Sequence, residues 1–162
     1  MGSNITISPE ETKELAKQIA AGLKGGEILG LVGELGSGKT VFVQGLAEAL
    51  GIKEIVNSPT FVLMKIYKIP FDFAQGRQDT RYTIRELIHI DAYRLESFDQ
   101  LKEIGAEEYF NRKDCLVVIE WAEKVPALRN YPNYQEINFK EGKQMNERMI
   151  EIKSFDKPKN IL

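Results

Sequence analysis

The sequence predicts an α/β fold in one domain over residues 1–162: a mostly parallel sheet flanked by helices, with an antiparallel C-terminal ribbon. Three observations predict it. Apolar runs at Ile28 to Val32, Val62 to Tyr67, Leu87 to Ile90 and Leu116 to Ile119 are strand-like and are separated by segments of helical spacing. Ile137 to Phe139 and Met149 to Ile152 flank the turn residues Glu141, Gly142 and Lys143, the signature of a ribbon added to a sheet edge. A chain of 162 residues buries roughly 70% of its unfolded surface, enough for one core.

Each element has a local cause. Ile5 and Ile7 alternate with Thr6 in a short strand-like stretch. Ser8, Pro9 and Glu11 then mark a helix start as N-cap, first helical residue and capping-box partner. Leu15, Ile19 and Leu23, with Ala16 and Ala20, make an apolar stripe for the sheet, and Gly25 and Gly26 end the helix. After the strand at Ile28 to Val32, a second helix carries Val41, Phe42, Leu46 and Leu50 and stops at Gly51. Pro70 to Asp79 breaks the pattern as a loop or hairpin. Tyr82, Ile84, Leu87, Ile88 and Ile90 then form a strand that delivers His89, Asp91, Tyr93 and Arg94 at its end. Ser97 to Phe110 is helical with an interruption at Gly105, and the strand from Leu116 is closed by Glu120 and Trp121.

Composition narrows the function. A net charge of −2, from 22 Lys and Arg against 24 Asp and Glu, does not build a broad nucleic-acid face, so no DNA contact is expected and any RNA contact is indirect. Cys115, the one cysteine, lies in an apolar run; it excludes an internal disulfide framework, predicts a buried thiol and suits a reducing cytoplasm. No apolar run approaches the roughly 20 residues that cross a bilayer. Met1 to Thr6 fits the loose N-myristoylation pattern, and Met-Gly-Ser is equally what a trimmed tag leaves.

The chemistry concentrates at Gly33, Glu34, Leu35, Gly36, Ser37, Gly38, Lys39 and Thr40, a G-x-x-x-x-G-K-T pattern between a strand and a helix. This is a P-loop, and it specifies the α/β class as a P-loop NTPase fold. A triphosphate needs several backbone N–H groups close to its oxygens, which the glycines and the helix start provide. Lys39, read as a solvated side chain, meets the β/γ oxygens, and the Thr40 hydroxyl ligates Mg²⁺. A second carboxylate for the metal belongs at the end of a neighbouring buried strand, where Glu120 stands; the competing reading is a surface Glu. Asp91 also ends an apolar strand. It either reaches Mg²⁺ through water, or orients the attacking water, or caps the following turn. His89, the only histidine, reads as a packed structural side chain. Asn111 to Asp114 looks like the guanine-reading N-K-x-D motif, but has Lys third and precedes a strand, so ATP is preferred over GTP.

Four separated motifs resemble the TsaE family, formerly called YjeE: Gly33 to Thr40, Ser58-Pro59-Thr60-Phe61, His89-Ile90-Asp91-Ala92-Tyr93-Arg94-Leu95 and Ile119-Glu120-Trp121-Ala122-Glu123-Lys124. The resemblance implies a small cytoplasmic ATPase that acts with the TsaB and TsaD proteins in threonylcarbamoyl modification of adenosine next to the tRNA anticodon. Carried over, it makes Thr40 and Glu120 the Mg²⁺ residues and assigns the phosphates to Lys39 and the glycine loop. It makes Ser58 to Thr60 a switch sensing the γ-phosphate, with Thr60 and Asp91 catalytic, and it sets Arg148 against the base. Relatives have a short hairpin between Tyr67 and His89, so Phe71 to Arg81 reads as an insertion. Two other functions fit the residues: a small P-loop kinase, with Arg77, Arg81 and Arg85 as its only lid-like arginines, and a nucleotide-dependent interaction module without turnover.

Overall fold

In the computed structural model residues 2–70 and 84–154 are described. They form β1 (Gly2–Thr6), α1 (Pro9–Ala20), β2 (Ile28–Val32), α2 (Lys39–Ala49), β3 (Met64–Lys68), β4 (Glu86–Asp91), α3 (Phe98–Glu103), β5 (Cys115–Glu120), β6 (Tyr134–Glu141) and β7 (Arg148–Ser154). The strands make one sheet in the order β1-β7-β6-β2-β5-β4-β3. The stretch read as an insertion, Phe71 to Arg81, and with it Arg77, lies outside the described residues, as does Tyr82. No described helix is long and apolar enough to cross a membrane.

The sheet is mixed, which corrects the expectation of a mostly parallel one. The centre, β6-β2-β5-β4, is parallel. β3 on β4, β7 on β6 and β1 on β7 are antiparallel. Parallel neighbours need a crossover of a dozen or more residues, and the link from Glu141 to Arg148 is too short for one, so β7 must reverse. The ribbon is also not at the rim: β6 pairs with β2, and β1 covers the outer side of β7.

Strand alternation divides the core into two layers. Leu87, Leu116 and Val118 join Ala16, Ala20, Phe42 and Leu46 on the α1/α2 face. Ile88, Ile90, Val117 and Ile119 join Leu101, Phe110 and Leu128 on the other. The same alternation carries His89, Asp91 and Glu120 to the α2 side. Cys115 is buried, as its apolar run predicts, and burial pushes its thiol up to about 12.

Helix α1 starts as its sequence requires: the Glu11 N–H donates to Ser8 Oγ at 3.1 Å, and the Glu11 carboxylate accepts from the Ile7 N–H at 2.9 Å. Its stripe meets α2 as well as the sheet. A side chain at Gly45 would stand 2.6 Å from the Lys13 carbonyl oxygen and 2.7 Å from Ala16 Cβ, so the missing Cβ sets the helix spacing. Lys13 and Lys17 both pair with Glu48 across that contact. α2 therefore lies fixed over the sheet with its N-terminus at the C-terminal ends of β2, β5 and β4.

Candidate functional site

Those strand ends and the α2 N-terminus enclose a cleft of about 430 Å³. Its lining includes Gly36 to Thr40, Ser58, Thr60, Asp91 and Glu120, so residues far apart in sequence converge here. The loop from Gly33 to Gly38 turns through left-handed backbone at Gly36 (φ 76°) and Gly38 (φ 99°), and a Cβ at either would meet open space. Only glycine takes that path without strain. It leaves the first N–H groups of α2 without partners inside the helix, turned toward the cleft.

Lys39 corrects the expectation of a solvated side chain: it is 4% exposed. Its Nζ donates to the carbonyl oxygens of Gly33 at 2.5 Å and Glu34 at 2.9 Å and lies 3.9 Å from the centre of the Trp121 ring. Burial lowers the ammonium from the ordinary lysine value, and the surrounding carboxylates, Glu120 first, then Glu123, Asp91 and Glu34, oppose that shift. The charge is thus held inside the loop, next to the cleft.

Glu120 ends β5 at 3% exposure, which overturns the surface-Glu reading. The Thr40 hydroxyl lies 3.0 Å from each of its carboxylate oxygens. His89 Nε2 lies 2.8 Å from Oε1. Asp91 faces Glu120 in the β4-β5 register. Its Oδ2 accepts from Ser58 Oγ at 2.6 Å and Thr60 Oγ1 at 3.1 Å, and its Oδ1 accepts from the Tyr93 N–H at 2.9 Å. Asp91 therefore caps the following turn and also ties the Ser58 to Thr60 segment to the cleft.

A cation would find hard oxygen donors in Thr40 and Glu120. Among the described residues no group of three or more His, Cys, Asp or Glu is arranged for a metal. That donor set suits Mg²⁺, which keeps several waters and takes few protein ligands.

Arg148 opens β7 on the far flank of the loop, where its Nη2 donates to the Gly36 carbonyl oxygen at 3.2 Å. It lines a small cavity of about 100 Å³ that shares Gly36, Gly38 and Val41 with the cleft and adds Ser8, Pro9, Thr12 and Asn146. Asn111 to Asp114 precede β5, at the opposite end of that strand from Glu120. Trp121 and Tyr93 went unread as cleft residues. They pack at 4.9 Å between ring centres, and Trp121 holds left-handed backbone at φ 59°. Their signal is position, one and two residues past the strand-end acids.

The sequence matches the family model described as "Threonylcarbamoyl adenosine biosynthesis protein TsaE" over residues 6–150. The chain belongs to the TsaE family. A TsaE protein from Bacillus subtilis strain 168, named a tRNA threonylcarbamoyladenosine biosynthesis protein, is 45% identical over 76% of this chain and 71% of its own length. A TsaE protein of the same name from Aquifex aeolicus is 40% identical over 74% of this chain and 76% of its own. The crystal structure of Bacillus subtilis YdiB superposes with a TM-score of 0.68 at 32% identity, covering 95% of this chain and 85% of that one. The resemblance read from the four TsaE motifs is thereby shown.

Proposed function

We propose that this chain is a cytoplasmic, Mg²⁺-dependent ATPase of P-loop type. In this reading it acts as an accessory factor with the TsaB and TsaD proteins in threonylcarbamoyl modification of tRNA adenosine. The observation that carries the ATPase reading is the convergence of the Gly33 to Gly38 loop, Lys39, Thr40, Glu120 and Asp91 on one cleft. The role in modification is supported by family membership and by the names of the relatives.

The residues divide the work by chemistry. The loop N–H groups bind phosphate oxygens, and Lys39 exchanges its carbonyl contacts for the β/γ oxygens. Thr40 and Glu120 hold Mg²⁺, which when bound neutralises charge developing on the phosphates. Asp91 orients the attacking water and accepts its proton, while Ser58 and Thr60, bonded to Asp91, register whether a γ-phosphate is present. Arg148 contacts the base end of the nucleotide. Transfer is then mostly a matter of positioning and electrostatics, which a small domain can supply.

The test measures phosphate release from ATP by this chain alone and with TsaB and TsaD, alongside formation of the modified nucleoside. Slow release alone, accelerated by the pair and accompanied by more modified nucleoside, is expected. Release that ignores the pair, with no effect on the nucleoside, rejects the accessory role; no release in any condition rejects the ATPase.

A further inference from the structure

We propose that His89 is a positioning residue for Glu120: it fixes one carboxylate oxygen through its Nε2–H and so presents the other to a divalent cation. The proposal rests on the reading of Thr40 and Glu120 as a cation site. His89 is fully buried on β4, two residues before Asp91 and on the same face. Its register partners in the sheet are Lys65 on β3 and Val118 on β5, and its ring reaches diagonally to the Glu120 carboxylate two residues further along β5. A carboxylate oxygen only accepts, so the hydrogen of this bond sits on Nε2. Nδ1 has no hydrogen-bond partner among the described residues, so the ring's one polar anchor there is Glu120.

The two oxygens of Glu120 are consequently unlike. Oε1 receives both His89 at 2.8 Å and Thr40 at 3.0 Å, whereas Oε2 receives Thr40 alone at 3.0 Å. A carboxylate with one oxygen held from beneath cannot turn freely about its last bond. It offers Oε2 in one orientation, the ordering that partners of metal-bound carboxylates supply. A histidine present only to fill the core does not require this contact. Away from the cleft the same strand face is apolar, with Leu87 and Leu116 buried, and a leucine at this position would continue it without an orphan nitrogen.

The experiment titrates Mn²⁺ into the chain with ADP and reads free Mn²⁺ by its paramagnetic resonance signal; ADP affinity in EDTA and thermal unfolding are measured on the same proteins. Mn²⁺ favours the same hard oxygen donors. His89→Leu and His89→Asn, which place no N–H where Nε2 stands, should weaken Mn²⁺ retention about 10–100-fold. His89→Gln places an amide N–H near that point and should restore it, and ADP affinity in EDTA should stay at the wild-type value in all three. Wild-type retention in both His89→Leu and His89→Asn overturns the proposal, as does equal loss in Gln and Asn or a parallel loss of metal-free ADP binding. If His89→Leu fails to fold, the Gln and Asn pair decides. Failure of the wild-type chain to hold Mn²⁺ with ADP rejects the cation site itself, a result distinct from those three.

Discussion

The two walls of the cleft are built differently. One consists of Lys39, Thr40 and Glu120, all inside regular elements; Lys39 and Glu120 are nearly inaccessible, and Glu120 is tied to His89 below. The other is the irregular segment before β3, where Ser58 and Thr60 hang on Asp91 by two hydroxyl bonds while Phe61 stands 86% exposed. A hydroxyl bond to a carboxylate contributes about 1.5–3 kcal/mol net, so two such bonds hold the second wall, whereas the first is held by the core itself. A charge platform built into regular elements thus faces a segment held by two hydroxyl bonds.

The sharpest division of the walls comes from paired carboxylate variants. Asp91→Asn should leave ATP binding near normal and lower turnover by about 10²–10⁴, the span of a lost general base. The amide can keep the Tyr93 N–H bond, and the Ser58 and Thr60 hydroxyls can rotate to accept from its NH₂ group, so the fold should hold. Glu120→Gln should instead reduce Mg²⁺-dependent binding. Calorimetry with and without Mg²⁺, beside single-turnover hydrolysis, checks both; exchanged phenotypes would reverse the roles of the two acids.

Next in size is Lys39→Ala, which removes charge-assisted bonds worth about 1.5–3 kcal/mol and so should weaken ATP about 10–150-fold. Stability should fall as well, because the Gly33 and Glu34 carbonyl oxygens lose their donor and the Trp121 ring its cation. Calorimetry and thermal unfolding separate the two effects. Unchanged ATP affinity would remove Lys39 from the platform.

How much of this was legible follows the same division. The loop, its strand and helix, the Ser8 cap and both strand-end acids are local patterns, and the structure brings Lys39, Thr40, Asp91 and Glu120 together as the loop motif and strand ends implied, with Thr60, which the family resemblance supplied, beside them. The turn at Glu141 to Lys143 marked β7 as antiparallel to β6, but the direction of β1 and β3 was not legible: they show the same alternation whether parallel or antiparallel, and pairing over long range decides. Nor was the burial of Lys39, which depends on Trp121 taking left-handed backbone and laying its ring beneath the ammonium. His89 looked like a packed histidine and is one. Its bond to Glu120 comes from β4 and β5 lying side by side, a register that no stretch of either strand encodes alone.

The smallest effect should be the most informative about the wall formed by Ser58 and Thr60. Thr60 supplies one of three hydrogen bonds to Asp91, at 3.1 Å, and its loss leaves the Ser58 bond and the Tyr93 cap in place. Thr60→Ala should therefore keep ATP affinity and lower stability by about 1.5 kcal/mol, the low end for a bond to a carboxylate. The segment, however, loses one of its two ties to the strand-end acid, so its competent arrangement becomes a smaller fraction of the population. A partner that acts by selecting that arrangement then has less to select from, and stimulation by TsaB and TsaD should fall by the same fraction. Turnover against increasing TsaB and TsaD, for wild type and variant, reads this directly. Equal stimulation in both would place the partner response outside Thr60 and leave the second wall a passive one.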